Sequence, residues 1–292
     1  MTKMPWHEAC QLDSSLLSLQ RLFKVSPDYA ETLTEGLTNC PWRIMLTNGN
    51  SYVWKSNASI VKTFSISRFQ EYHILSNIRS SSIASNPILV NDQGLLVDWI
   101  EKDPLSSQLN FDSLLKIMVK IHQIDLSCIS LPPFNFTKCV DRYWLQIKNE
   151  FRTSEYWQLY HSWRDSPNLV NNVKNTLCHF DLTQKNIIKT KFGNKVIDWE
   201  YASIADPRLD LTLTINTNKA DVLKSVYRYC QLRKIEKIDD WFQSVLVWQP
   251  KAMMMTMLWY LLGYQLWKKK NYLREAEGLR SQLRNNSLNN LN

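Results

Sequence analysis

One stretch constrains this chain more than any other: Cys178–Tyr201, which reads CHFDLTQKNIIKTKFGNKVIDWEY. Apolar Ile187-Ile188 and Val196-Ile197 flank Lys191-Phe192-Gly193-Asn194, and two short apolar runs around a glycine-containing turn read as a β-hairpin. Such a hairpin returns Asp198 beside Asn186. Upstream of it the chain carries His-x-Asp-Leu-x-x-x-Asn at His179–Asn186. Asp181 in that loop is able to accept or orient the proton of an attacking hydroxyl, while Asn186 and Asp198 offer hard oxygens to magnesium bridging nucleotide phosphates. The chemistry these residue types point to is phosphoryl transfer. A lone His-x-Asp is a weak signal. Asp, Asn and a second Asp in this order around a hairpin are far more specific than a set of turn-forming side chains.

These residues also carry a resemblance. The segment is similar to the catalytic core of the aminoglycoside phosphotransferase and choline kinase superfamily, which shares the protein-kinase-like fold. Within it, IDWEYA at Ile197–Ala202, followed by Asp206-Pro207 and Asp210-Leu211, resembles bacterial thiamine kinases most closely. The strong match covers about residues 177–215, and a weaker one most of the chain. The resemblance implies an α+β, two-lobed fold, with a small antiparallel β-rich lobe over 1–99 and a larger, mainly α-helical lobe over 100–292. It implies ATP and Mg2+ as cofactors, gives proton handling to Asp181, and makes His179 and Asp210 supports of the catalytic loop.

Composition agrees with a soluble globular chain. At 292 residues and 44% hydrophobic, it has enough apolar material for a sizeable core. The N-terminus MTKMPWHEACQLDSS lacks the apolar run of a signal peptide, so a cytoplasmic location is expected. Cysteines at 10, 40, 128, 139, 178 and 230 form no C-x-x-C pair and read as free thiols. The apolar run Ala252–Trp267 is shorter than the roughly 20 residues a membrane span needs, so it reads as a buried helix and no membrane partner is expected. A net charge of +8 admits nucleic acid, but the basic residues are dispersed. Lys268-Lys269-Lys270 read as a cap on a helix dipole, and no nucleic-acid partner is expected. Six glycines, at 36, 49, 94, 193, 263 and 278, exclude both the Walker P-loop and the Rossmann fingerprint.

The first hundred residues read as β-rich. A leading helix is expected over 8–23, strands over Thr32–Leu37, Trp42–Leu46 and Ser51–Lys55, and a turn at Asn48-Gly49. Gly36, Thr38 and Asn39 fall in the lid that covers nucleotide phosphates in kinases, although Cys40 and Pro41 depart from the small-residue pattern of that loop. Lys55 falls where the resemblance places the phosphate-binding cation. Glu71, on a helix over Ser67–Ile78 whose apolar face is Phe69, Tyr72, Leu75 and Ile78, is available to orient it. A hairpin over Ile88–Trp99 ends at Asp98, Trp99 and Ile100, the candidates to meet adenine.

Beyond residue 101 the pattern turns helical, with helices over Phe111–Ile124, Val140–Phe151, Glu155–Trp163, 219–232, 238–248, 250–269 and 271–284. His122, at the end of an amphipathic helix, reads as structural.

Two functional classes follow: an ATP-dependent phosphotransferase acting on a small alcohol, or a regulatory binding protein on a degenerate kinase fold. Every polar group the mechanism needs is present, which favours the enzyme. Asp-Phe-Gly and Ala-Pro-Glu are absent, which argues against a protein kinase. The resemblance to thiamine kinases, carried by Trp199 in IDWEYA and the tryptophan-rich final helices, makes thiamine the expected acceptor; Trp199, Glu200 and Tyr201 directly follow Asp198, and Trp259 and Trp267 lie eight residues apart, close to one helical face. Aromatic rings with a carboxylate suit a cationic aromatic molecule, and Asp181 would face its hydroxyl. The two tryptophans would equally serve as core. Choline, ethanolamine and aminoglycosides remain the alternative acceptors.

Overall fold

The computed structural model describes residues 3–33, 41–57, 63–64, 66–105, 109–165, 167, 169 and 171–289. The chain divides into two compact units, Met1–Ser107 with Lys185–Tyr201, and Gln108–Gln184 with Ala202–Asn292. Each is described by itself.

The first unit is built on an antiparallel sheet. Among the described residues its strands are β1 (Lys3–Pro5), β2 (Pro27–Thr32), β3 (Trp42–Leu46), β4 (Ser51–Ser56), β5 (Pro87–Asn91) and β6 (Gly94–Asp98), in the order β1-β2-β3-β4-β6-β5. β3 runs Trp-Arg-Ile-Met-Leu, and its burial alternates with the side-chain period of a strand: Trp42, Ile44 and Leu46 are buried, Arg43 and Met45 half-buried. Trp42, Ile44 and Leu46 join Trp54, Leu96, Leu16 and Leu19 in one apolar cluster. Trp54 is fully buried, and its indole N–H donates to Ser15 Oγ at 2.8 Å, so the polar edge of the ring is satisfied. Lys55, the next residue on β4, therefore points to the opposite face.

Helix α1 (Trp6–Leu12) is shorter than the expected 8–23 span. Asp13 is the reason: its carboxylate accepts from the backbone N–H of Ser15 at 3.0 Å and starts a separate 3-10 turn over Ser14–Leu19. β2 ends at Thr32, where the expected strand Thr32–Leu37 begins; residues 34–37 of that strand, Gly36 among them, and Thr38 and Asn39 fall outside the described residues. Helix α2 (Arg68–Asn77) begins at Ser67, whose side chain accepts from Gln70 N–H. Its buried face differs from the expected one. Phe69 is half exposed, while Arg68 and Glu71 are buried with Ile74 and Leu75. Ion pairing, described below, is what lets two charged residues take the inward positions.

The hairpin also lies in the first unit, as β7's successors in the chain. β7 (Thr176–Cys178) precedes it, and β8 (Ile187–Thr190) pairs antiparallel with β9 (Gly193–Val196) around Lys191-Phe192. Gly193 has φ +124°, a conformation that favours glycine. Ile83 C=O accepts from Val196 N–H at 2.7 Å, which ties the hairpin to the segment after α2.

The second unit is mainly helical, with α3 (Phe111–His122), α4 (Phe136–Gln146), α5 (Ser154–Trp163), α6 (Pro207–Asn218), α7 (Val222–Arg233), α8 (Ile238–Trp267) and α9 (Lys270–Asn289). Asn110, Asn135, Thr153, Asp206 and Asp221 cap N-termini through their side chains, each accepting a backbone N–H that has no partner inside its own helix. Lys219, Lys234 and Lys268 end α6, α7 and α8 in the left-handed region, a position glycine usually takes. The two helices expected on either side of residue 249 are one. Pro250 sits inside α8, and burial of Val245, Trp248, Ala252, Met254 and Met257 across that point holds the helix together despite the missing N–H. A two-stranded antiparallel pair, β7 with β10 (Ser203–Ala205), brackets the excursion of the chain through Lys185–Tyr201. No helix among the described residues is long and apolar enough to cross a membrane. Cys10, Cys128, Cys139, Cys178 and Cys230 are free.

Candidate active site

Candidate residues fall in both units, and each set is held by its own local architecture.

In the first unit, Lys55 Nζ donates to Glu71 Oε1 at 2.7 Å and to Asp198 Oδ1 at 3.0 Å. Strand β4 presents the ammonium, helix α2 supplies Glu71, and the hairpin delivers Asp198. Burial alone would lower the lysine's proton affinity, but Glu71 and then Asp198 outweigh it and hold the ammonium charged well above the ordinary lysine value. Ile197 N–H donates to Asn186 C=O at 2.9 Å, so β8 and β9 return the residue before Asp198 to the backbone of Asn186. Asp198 itself has φ +66°. For a residue with a β-carbon that backbone is strained by about 1–3 kcal/mol, and it re-aims the side chain at the end of the hairpin. Its carboxylate is about a third exposed, at 35%, whereas Glu71 and Glu200 are buried.

Arg68 completes this set, and nothing in the local sequence periodicity marks it. Its Nη1 donates to Glu71 Oε2 at 2.6 Å and to Glu200 Oε2 at 3.1 Å. Two cations thus face three carboxylates: Glu71, Asp198 and Glu200. Burial first, and Asp198 second, push the Glu200 carboxyl up to about 7.

Several residues nominated for ligands have other partners. Trp199 is 1% exposed and donates its indole N–H to Val196 C=O at 2.9 Å, so its ring fills the interior and presents no face to an acceptor. Glu200 is buried against Arg68, and Tyr201 is half-buried. The carboxylate of Asp98 accepts from Asn86 N–H at 2.6 Å and from Asn86 Nδ2 at 2.7 Å. The backbone N–H groups of Asp98 and Trp99 donate to Asn86 C=O and Ser51 C=O. Trp99 does border a cavity of about 360 Å³ with Tyr52, Asp98 and Glu101, and the Arg43 guanidinium lies over its ring at 4.0 Å.

In the second unit, the loop after β7 hangs on one carboxylate. Asp210, 1% exposed on α6, accepts from Phe180 N–H at 2.8 Å, His179 N–H at 3.0 Å and His122 Nε2 at 2.9 Å. Donating Nε2–H to a carboxylate leaves His122 Nδ1 to accept from Tyr229 O–H at 2.6 Å. Burial would raise the Asp210 carboxyl, but the His122 hydrogen bond and the backbone amides prevail and hold it below the ordinary aspartate value. His179, fully buried, accepts from Asp181 N–H through Nδ1 at 3.3 Å. Phe180, between them, has φ +66°. The loop is therefore pinned at three consecutive residues, with Asp181 half-buried at its end. His122, Cys178 and Asp210 lie close enough together to suggest a metal site, but both His122 nitrogens are engaged and burial keeps the Cys178 thiol protonated.

Trp259 and Trp267 on α8 belong to an aromatic group with Tyr260 and Tyr272. The tryptophan rings are 6.3 Å apart, and Tyr272 lies 5.9 Å from Trp259 and 5.0 Å from Trp267. Tyr272 is buried and the two tryptophans half-buried, so the group is part core and part surface. Burial first, then the charges of Glu275 and Asp181, raise the Tyr260 phenol above the ordinary tyrosine value. Sequence spacing gives the two tryptophans but not Tyr260, Tyr272 or Tyr229, whose neighbours come from other helices.

A family model described as "Phosphotransferase enzyme family" matches residues 60–231, more than half of the chain. A protein named thiamine kinase from Shigella boydii serotype 4 is 23% identical over 218 residues, 73% of this chain and 76% of that protein. One from Salmonella paratyphi B is 26% identical over 106 residues, 36% of this chain. The chain spans only 38% of the length of that Salmonella relative. Choline kinase LicA from Streptococcus pneumoniae shares the fold, with a TM-score of 0.66 at 18% identity over 93% of this chain and 99% of that one. LicA in complex with AMP gives 0.67 at 20% identity, over 91% and 96%. The fold is α+β and protein-kinase-like.

Proposed function

We propose, for a chain that belongs to the phosphotransferase enzyme family, that the reaction is transfer of the terminal phosphoryl group of ATP to the hydroxyl of thiamine, giving thiamine phosphate and ADP. Asp181 accepts the hydroxyl proton as the acceptor oxygen forms its bond to phosphorus and the bond to the ADP oxygen breaks. Lys55, kept charged by Glu71, neutralises phosphate charge from a rigid strand. The residues fit Mg2+: Asp198 and Asn186 are both half-buried oxygen donors brought to one end of the hairpin. Bound by them, Mg2+ would offset the negative charge of the phosphates and hold them in line.

The observation that carries the acceptor reading is the aromatic group of Trp259, Tyr260, Trp267 and Tyr272. Electron-rich rings favour a cation with a flat face, and the thiazolium of thiamine carries its hydroxyethyl group on such a ring. The names of the curated relatives support the same acceptor. The trimethylammonium of choline would suit the same rings, so choline is the second reading. The deciding measurement is kcat/KM for thiamine and for choline, with ethanolamine and an aminoglycoside alongside, read as ADP released. A preference for choline, or no ADP with millimolar thiamine, overturns thiamine and leaves the phosphotransferase assignment standing.

A further inference from the structure

We infer that a cavity in the second unit is a binding site for a small organic anion, a carboxylate on an apolar body, with Arg233 as its anchor. The inference goes beyond the phosphotransfer reading and does not depend on it. The cavity measures about 540 Å³, within the roughly 300–1,000 Å³ of small-molecule sites. Its lining comes from the end of α3, the segment leading into β7, the start of α6, the end of α7 and the start of α8. Neither Asp181 nor any other residue nominated for catalysis, nucleotide or acceptor lines it. Arg233 lines it from the last turn of α7, and its Nη1 is buried with no hydrogen-bond partner among the described residues. A cation in the last turn of a helix is ordinarily explained by the carbonyls and the dipole there. At α7 two of those carbonyls are already taken: Lys234 N–H reaches Cys230 and Gln231 C=O, and Ile235 N–H reaches Cys230 C=O at 2.9 Å. The helix end thus accounts for the charge and leaves the buried nitrogen without an acceptor. Such a donor is costly until an acceptor meets it, and the planar fork of a guanidinium matches a carboxylate.

The rest of the lining gives the class of the ligand. Lys174 and Gln123 are exposed members of it, and half-buried Asn175 adds a second amide donor. One carboxylate, Asp125, also lines the cavity, and Ser127 N–H and O–H already donate to it at 3.0 and 2.7 Å. Arg233 and Lys174 against Asp125 leave one positive charge among the described lining residues, which suits a monoanion better than a doubly charged phosphate. His122 adds neither donor nor acceptor, because Asp210 and Tyr229 engage both of its ring nitrogens. Ile124, Leu126, Val173, Ile235 and the buried Trp241 supply the apolar remainder, which calls for a hydrocarbon or aromatic body on the anion.

The test titrates phenylacetate, its neutral isostere phenylacetamide and phenyl phosphate into the full chain by calorimetry, as wild type, Arg233→Gln and Lys174→Gln. Phenylacetate is expected to bind wild type with a Kd of about 1 mM or tighter, and at least about tenfold more tightly than the amide, because only the acid carries the charge. Arg233→Gln should remove that tenfold advantage and leave amide binding unmoved. Lys174→Gln should cost the acid less than Arg233→Gln does, since an exposed ammonium is screened by water. Hydrogen exchange of wild type with phenylacetate should show protection in residues 122–126 and 173–176. Should Arg233→Gln fail to fold, Arg233→Lys keeps the charge but loses the planar fork, and is expected to weaken the acid about threefold. No saturable binding at about 20 mM phenylacetate, equal binding of acid and amide, or protection confined to other segments overturns the site. An acid affinity unchanged in the Arg233 variant, or a larger loss from Lys174→Gln, overturns the role of Arg233. Tighter binding of phenyl phosphate than of phenylacetate in the same segments overturns the carboxylate class.

Discussion

Asp210→Ala should cost the second unit more than any other single truncation around the loop, and the structure sets the size. One buried carboxylate accepts from Phe180 N–H, His179 N–H and His122 Nε2. Alanine leaves three buried donors without an acceptor, each worth about 1–3 kcal/mol. Water entering the vacated space recovers part of this, so the low end applies to each, about 1 kcal/mol. The sum is about 3 kcal/mol, a large share of the 5–15 kcal/mol of an ordinary domain, and corresponds to a fall in Tm of about 6–12 °C. Asp210→Asn keeps one acceptor oxygen and should lose about half as much. The pH dependence carries a sign check. The Asp210 carboxyl is held below its ordinary value of 3.8, so its contribution is complete above that value and is lost as pH falls through the lowered one. Calorimetric Tm should therefore show a constant gap between wild type and Asp210→Asn from pH 7 to about pH 5, closing only in stronger acid. A Tm for Asp210→Ala within about 3 °C of wild type, or a gap already closing between pH 7 and pH 5, refutes the reasoning.

Asp181→Asn removes a proton acceptor at almost constant volume, so turnover should fall about 10²–10⁴-fold with ATP affinity and Tm nearly unchanged; retention of more than about a tenth of wild-type turnover would mean another base. Asp198→Ala should weaken ATP binding in Mg2+ more than Asn186→Ala does, because it removes a charged ligand; equal affinity for wild type and Asp198→Ala at every Mg2+ concentration counts against the metal role of Asp198. A β-carbon on Gly263 would lie 2.5 Å from Tyr272 Cδ1 and 2.8 Å from Trp267 Cζ3, so Gly263→Ala should cost about 1–3 kcal/mol and raise the acceptor KM severalfold with the ATP KM unmoved. An unchanged acceptor KM would remove the aromatic group from acceptor binding.

Where local chemistry decides the structure, the sequence is readable. The hairpin Ile187–Val196 follows from apolar pairs around a glycine turn, and the pairing of β3 with β4 follows from the Asn48-Gly49 turn between them. Helix α2 shows where that logic stops. Its apolar residues suggest a face through Phe69 and Tyr72, yet the chain buries Arg68 and Glu71. Hydropathy counts a charged residue as outward, and the pairing of Arg68 with Glu71 together with partners 16 and 132 residues away, Lys55 for Glu71 and Glu200 for Arg68, reverses that. Trp199 fails in the opposite sense. An aromatic beside a candidate metal ligand suggests a binding surface, whereas its indole N–H finds Val196 C=O three residues back and the ring turns inward.

The backbone of the candidate residues was hidden for the same reason. Phe180 and Asp198 both take φ +66°, one beside Asp181 and the other a candidate ligand; aspartate visits the left-handed region more readily than most side chains, phenylalanine does not. Each such residue costs about 1–3 kcal/mol and persists only where its surroundings over-determine it. For Phe180 those surroundings are the Asp210 carboxylate and an edge contact with Phe134 at 4.9 Å between ring centres. For Asp198 they are Lys55 on its side chain and backbone bonds from its neighbours, Ile197 N–H to Asn186 and the Trp199 indole to Val196. Strain of this kind is local, but what sustains it is distant: Asp210 is 30 residues beyond Phe180, and Lys55 is 143 residues before Asp198. A motif string therefore identifies which side chains converge, while the angles at which they are presented are decided by residues the string does not contain.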